Sequence, residues 1–234
     1  MVFLQLKAGV RNFFAPYMDR VEDKILFPYI LGNQVIDHER WNENGVRIPV
    51  SKGVWLATGS LPVSVTDLFI GHSAGDIMCF CHYYPNWIIP RRPSAFASLG
   101  LLPTKEQFTW LKTLFPNAKI HTVFDGGISG RVADCKVATW QIGKSARFSL
   151  VDEHGEFYYN KKRYRIPVGD FSLNRFERLS GIRAGIRTHK PKAPFETFYQ
   201  SFANVLIWTS PSRTPDPLLE GGCRVSVLAK ANKY

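Results

Sequence analysis

Between Leu68 and Leu150 the apolar positions alternate between two periods. Leu68-Phe69-Ile70 is a short apolar run ended by Gly71, and residues 76–84 then place Ile77, Met78, Phe80, Cys81 and Tyr84 at helical spacing until Pro85 stops them. The pattern predicts strand, turn, helix. Beyond a proline-rich stretch at 85–93, Ala95-Phe96-Ala97-Ser98 reads as a second strand. Thr104 with Gln107 three residues later has the form of a capping box, opening a helix with Phe108, Leu111, Leu114 and Phe115 on one face. Residues 119–124 read as a buried strand, Gly126-Gly127 as a turn, 130–140 as a third helix and 147–151 as a further strand. Strands alternating with helices call for right-handed crossovers and a mostly parallel sheet.

The flanks are patterned differently. Phe13-Phe14-Ala15-Pro16 and the Ile25 to Leu31 stretch, broken by Pro28, are expected to pack on the sheet or to form a small helical lead-in. Residues 157–166 read as a hairpin turning at Asn160-Lys161, and Phe195, Phe198, Tyr199, Phe202 and Leu206 recur at helical spacing. Three prolines among Ser and Thr make 209–217 a surface loop or tether. The division is therefore a lead-in at 1–51, an α/β domain at 52–152, a basic hairpin and helix extension at 153–208, and a tail at 209–234.

Composition adds a core and a partner. With 45% hydrophobic and 21% charged residues in 234, the chain can bury an apolar interior and does not have the composition of a disordered one. Thirty Lys and Arg against nineteen Asp and Glu give +11, and the excess is concentrated: residues 161–192 hold ten basic and two acidic side chains. Lys161, Lys162, Arg163, Arg165, Arg175, Arg178, Arg183 and Arg187, interleaved with Tyr164, Phe171 and Phe176, suit phosphate neutralisation with base stacking. DNA is the expected polymer and RNA the alternative. No apolar run is long enough to cross a membrane as a helix, no secretory or lipidation signal is seen, and Cys79, Cys81, Cys135 and Cys223 read as reduced thiols. A cytoplasmic protein without a membrane partner is expected; the oligomeric state is not specified.

In a parallel sheet, functional groups collect at the carboxyl ends of the strands. Two such ends are chemically marked: Gly71-His72-Ser73-Ala74-Gly75-Asp76 and Asp125-Gly126-Gly127-Ile128-Ser129-Gly130-Arg131. Together with the lead-in Lys52-Gly53-Val54-Trp55-Leu56, their order over residues 52–152 resembles the toprim domains of topoisomerases, bacterial primases and mobile-element proteins. The resemblance implies a Rossmann-like sheet with a Glu as general acid or base and an Asp-x-Asp pair holding Mg²⁺. Carried over, His72 stands at the Glu position, Asp125 at the first Asp and Gly127 at the second. Asp76 matches an acid at the helix start, and Gly130-Arg131 match a Gly-Arg pair, which puts Arg131 at the nucleic-acid face. With two of three acids missing, the resemblance implies a scaffold that binds DNA within a mobile genetic element, without Mg²⁺-dependent catalysis and without a cofactor. Asp125 is then the one candidate metal ligand, and Mg²⁺ is expected only of an active site.

Other chemistry remains open. His72, Asp76 and Asp125 converging in one cleft would make a repurposed centre for metal-dependent phosphoryl transfer, primase-like or nuclease-like. His72 suits Zn²⁺ or Mn²⁺ better than Mg²⁺. Gly71-His72-Ser73-Ala74-Gly75 also has the form of a nucleophile elbow, which would make Ser73 a hydrolase nucleophile with Asp125 and a later His such as His121 or His154. Cys79, Cys81 and His82 group metal-ligand types, but helical spacing turns Cys81 to the core and Cys79 nearly opposite, so zinc binding has little support.

Overall fold

The computed structural model describes residues 5–42, 45–89 and 91–209 of the chain. A short helix, α1 (Ala8–Phe14), leads into four antiparallel strands: β1 (Asp19–Val21), β2 (Lys24–Leu31), β3 (Gln34–Asn42) and β4 (Gly45–Arg47), adjacent in that order. The expected lead-in is thus a β-meander. Its apolar positions alternate, with Ile25, Phe27 and Tyr29 buried on one face of β2. Pro28 does not break the strand, because β1 pairs only with Lys24 to Leu26 and a strand bonded along one edge tolerates a missing N–H.

The chain then runs β5 (Trp55–Thr58), β6 (Asp67–Gly71), α2 (Ala74–Tyr83), β7 (Ser94–Ser98), α3 (Lys105–Leu114), β8 (Lys119–Thr122) and α4 (Ile128–Gln141). After these come β9 (Arg147–Val151), β10 (His154–Tyr159), β11 (Lys162–Pro167), α5 (Leu173–Ser180), β12 (Arg187–Thr188) and α6 (Phe198–Thr209). The central sheet has the order β12-β8-β6-β7-β5, parallel throughout except for β5 at one edge. The molecule is therefore mixed α/β with a largely parallel sheet. Thr104 and Gln107 form the capping box on α3 in both directions.

Both faces of this sheet are covered, which is why its strands are apolar runs rather than alternations. Phe69 and Phe96 pack with Phe14, Trp55 and Phe80 beneath α1, α2 and the meander. Leu68 and Ile70 pack with Phe108, Leu111, Ile120 and Val137 beneath α3 and α4. Aromatic contacts to Phe80 and His82, with ring centroids 5.2 and 4.6 Å away, seat Phe198 and Phe202 of α6 on the outer side of α2. Cys79, expected to face away from the core, is therefore buried together with Cys81, and burial pushes both thiols well above their ordinary value.

A second antiparallel sheet, β11-β10-β9, packs Phe157, Tyr159 and Ile166 on Phe171 and Phe176 and against Cys135 and Ala138 of α4. Its hairpin turns at Asn160 and Lys161 with φ of 48° and 62°, two consecutive left-handed residues as a type I′ connection requires. Residues 210–234, which hold Cys223 and all but the first residue of the expected tail, lie outside the described residues.

Candidate functional site

Strands β6 and β8 are parallel neighbours with Ile70 opposite Thr122, so their carboxyl ends deliver His72 and Asp125 to the same point. His72 Nδ1 lies 3.0 Å from Asp125 Oδ2. Ser129 Oγ donates to the same carboxylate oxygen at 3.3 Å, and the Gly130 N–H donates to Oδ1 at 3.1 Å. A glycine is required at 130 by close approach: a Cβ there would stand 2.2 Å from the Asp125 carbonyl oxygen. Lys190 seals the turn from outside, its Nζ donating to the carbonyls of Phe124 and Asp125 at 3.1 and 2.9 Å and pairing with Asp134 at 2.7 Å. Burial pulls the Asp125 carboxyl up, but His72, the Gly130 amide and the Lys190 ammonium more than offset it, so it ionises below the ordinary range.

Asp76 lies on the first turn of α2. Its Oδ1 accepts the Tyr199 N–H at 2.7 Å, which joins the start of α6 to the centre. Burial, with the charges of Asp125 and Glu39 acting in the same sense, lifts Asp76 to about 7 against that hydrogen bond. The three expected residues thus share one electrostatic neighbourhood.

The sequence pattern does not single out Glu39. It reaches from β3 of the meander to the N-terminus of α2, where Oε2 accepts from Ala74 N at 2.8 Å and Tyr29 Oη at 3.1 Å. Its Oε1 accepts from Ser73 Oγ at 2.6 Å, Trp41 Nε1 at 2.5 Å and Gly75 N at 3.2 Å. Burial raises this carboxyl, and the hydrogen bonds from Ser73, Ala74, Trp41 and Gly75 hold it down, with a net shift upward. A buried carboxylate at the positive end of a helix fills the place that a ligand phosphate would otherwise take. The only sequence trace of it is an acid two residues before Trp41 on an otherwise ordinary strand, with its contacts supplied largely by other elements.

Ser73 has no imidazole on its hydroxyl. Its Oγ donates to Glu39 and accepts from Asp76 N at 3.1 Å, as an N-cap does. His121 lies elsewhere, with Nε2 2.9 Å from Asp67 and Nδ1 2.9 Å from His189, and His154 opens β10 with Nδ1 2.7 Å from the Asp152 carbonyl. Burial, His121 and Arg187 push His189 down to about 4.

The donor set does not fit Mg²⁺. Asp125 already accepts from Ser129 and Gly130 and faces His72, while position 127 has no side chain. Among the described residues no three His, Cys, Asp or Glu side chains are placed to hold a metal ion together. Gly127 has φ −70°, open to any residue, and Glu196 Oε1 lies 3.6 Å from where a Cβ at 127 would stand. A cleft of about 250 Å³ opens beside His72, walled by Leu102, Ser129, Lys136, Phe148 and Leu150.

The basic residues divide into two groups. Arg131 is directed inward: its Nε donates to Gly126 O at 2.8 Å and its Nη1 to the carbonyls of Gly169 and Phe171, both at 3.2 Å. It ties α4 to the turn before α5. Lys161, Lys162, Arg163, Arg165, Arg175, Arg178, Arg183 and Arg187 are all exposed. Arg163 and Arg165 lean on Glu156, and Arg165 also stands 3.8 Å from Asp152.

No family model matches this chain, and no curated protein matches it. The functional reading accordingly rests on the residues and their geometry. Among the described residues no helix is long and apolar enough to cross a membrane.

Proposed function

We propose that the protein binds nucleic acid through the cationic block at 161–187, and that its strand-end centre is a toprim-like scaffold without Mg²⁺-dependent catalysis. DNA is the favoured polymer and RNA the alternative. The resemblance further suggests a cytoplasmic role in the DNA metabolism of a mobile genetic element. The observation that carries the reading is the exposure of all eight cations from Lys161 to Arg187 next to a sheet with exposed aromatic surface. Long-range attraction for a polyanion and counterion release follow from that arrangement. The scaffold half is supported by the way the centre is closed: Asp125, Asp76 and Glu39 each accept from donors of the protein itself, and Glu39 caps the helix end to which a phosphate would bind.

The test is equilibrium binding of labelled single-stranded and duplex oligonucleotides across a salt series. Log affinity should fall linearly with log salt, by about 0.7 to 0.9 per phosphate contacted. Changing Lys161, Lys162, Arg163 and Arg165 together to Ala should flatten the slope and weaken binding alike on all sequences. A wild-type protein that binds neither polymer at low salt would contradict the reading.

One observation favours the alternative, a phosphoryl-transfer enzyme. Asp76 at about 7 beside ionised Asp125, with Glu196 near the place of the missing acid, is the kind of perturbed cluster that active sites use. Metal-dependent strand cleavage or primer synthesis by the wild type, lost in Asp125→Asn, would establish it.

A further inference from the structure

The β9–β10–β11 sheet has two unlike faces. Phe157 and Ile166 are buried against Phe171 and Phe176, with Phe148 and Tyr164 partly buried on the same face. On the opposite face the register makes one transverse row, Arg147 on β9, Tyr158 on β10 and Arg163 on β11, with Tyr158 the direct partner of both arginines. All three are exposed, and Tyr158 leaves half its surface to solvent at 49%. The adjacent row on this face is Ser149, Glu156 and Arg165. Glu156 is buried under the guanidinium groups: Arg163 Nε and Nη2 stand 3.0 and 2.5 Å from its Oε2, and Arg165 Nε stands 3.8 Å from Oε1. An acid in that place holds two flexible arginines upright, and with Arg147 the face stays net positive. Among the described residues, Tyr158 is no part of the apolar cluster beneath the sheet.

We infer that this face binds single-stranded nucleic acid, with a base stacked on Tyr158 and the neighbouring phosphates on Arg147 and Arg163. The inference rests on the nucleic-acid reading above and assigns the surface and the form of the polymer. Strands about 4.8 Å apart put the two arginine backbones roughly 10 Å from each other with the ring between them. The complementarity is specific to an unpaired strand. A base offers its π-face only when it is out of the duplex stack, and an aromatic sheet surface flanked by cations is the surface that collects such bases. A duplex keeps those faces covered and leaves the Tyr158 ring without a base to stack on.

The experiment measures fluorescence anisotropy of the full chain with a short labelled oligothymidylate, its uridine counterpart and a duplex of the same length. Both single strands should bind more tightly than the duplex, and their ratio tells whether DNA or RNA is preferred. Tyr158→Ala should weaken single-strand binding about tenfold without changing the salt slope, because it removes a stacking platform and no charge. Tyr158→Phe keeps the platform and should bind like the wild type. Arg147→Gln should lower the slope by about 0.7. Because Tyr158 and Arg147 are exposed, these variants should keep the wild-type far-ultraviolet spectrum. A wild type that binds while Tyr158→Ala stays within about twofold of it, or one that prefers the duplex, overturns the assignment of this face and leaves the broader reading standing. A wild type that binds no polymer removes both.

Discussion

Asp76 carries the sharpest consequence at the scale of single residues. Its carboxyl is raised from 3.8 to about 7 by burial first and by Asp125 and Glu39 after it. A folded-state value above the unfolded one means that the folded chain binds the extra proton, so the stabilisation is complete below about 3.8 and disappears as pH rises through about 7. Asp76→Asn keeps an oxygen for the Tyr199 N–H and removes the titration. The stability of the variant relative to wild type should therefore increase between pH 5 and pH 8. The expected rise is up to about 3 kcal/mol, at roughly 1.4 kcal/mol for each pH step over which the folded form alone holds the proton. His189, held down at about 4, works in the opposite direction, but it is common to both proteins and drops out of the difference. Denaturant unfolding of both proteins at the two pH values gives the answer, and a difference that does not change with pH would mean that Asp76 is not buried beside ionised neighbours. That His72 and Asp125 each follow a strand of a parallel sheet is legible in the apolar runs, whereas their contact depends on β6 and β8 being neighbours, which those runs do not set. Glu39 is not legible, because its five partners come from β2, β3 and the start of α2, and no local spacing links them.

At the scale of elements, what can be read from the chain is whatever is decided locally. The capping box on α3, the helix stopped by Pro85 and the Asn160-Lys161 turn are settled by neighbours within a few residues. The meander escapes such a reading because Pro28 disguises the alternation of Ile25, Phe27 and Tyr29, and only its partner strand shows that one missing N–H is harmless there. Strand β12 is two residues long and exists through its pairing with β8 alone. The hairpin turn allows the fold and the function to be separated. Lys161 holds a φ of 62°, where a side chain costs about 1 kcal/mol and glycine none. Lys161→Gly should raise stability by about 0.5–1 kcal/mol, a shift of roughly 1–4 °C in melting temperature for a chain of this size, while lowering the salt slope of nucleic-acid binding by no more than one phosphate. Calorimetry and a salt titration on the same sample measure both. A loss of stability would contradict the type I′ turn, and an unchanged slope would take Lys161 off the interface.

Across the whole molecule, the two chemically marked regions have opposite characters. The strand-end centre joins the meander through Glu39, α6 through Asp76 and the segment after β12 through Lys190, so its acids and cations hold separate parts of the chain together. The second sheet and α5 carry their charge outward, on Arg147, Arg163, Arg165, Arg175 and Arg178. A centre tied inward and a cationic side suit the proposed binding function, and charge alone could place neither region, since Arg131 and Lys190 belong to the same basic count as Arg163 yet face inward. Photo-crosslinking of the full chain to a single-stranded oligonucleotide, followed by mass spectrometry of the linked peptides, separates the two regions in one measurement. Crosslinks are expected within residues 147–187, with Tyr158 among them, and none at 72–76 or 125–131. Crosslinks confined to the His72 and Asp125 turns would instead make the strand-end centre the nucleic-acid site and would contradict its assignment as a scaffold.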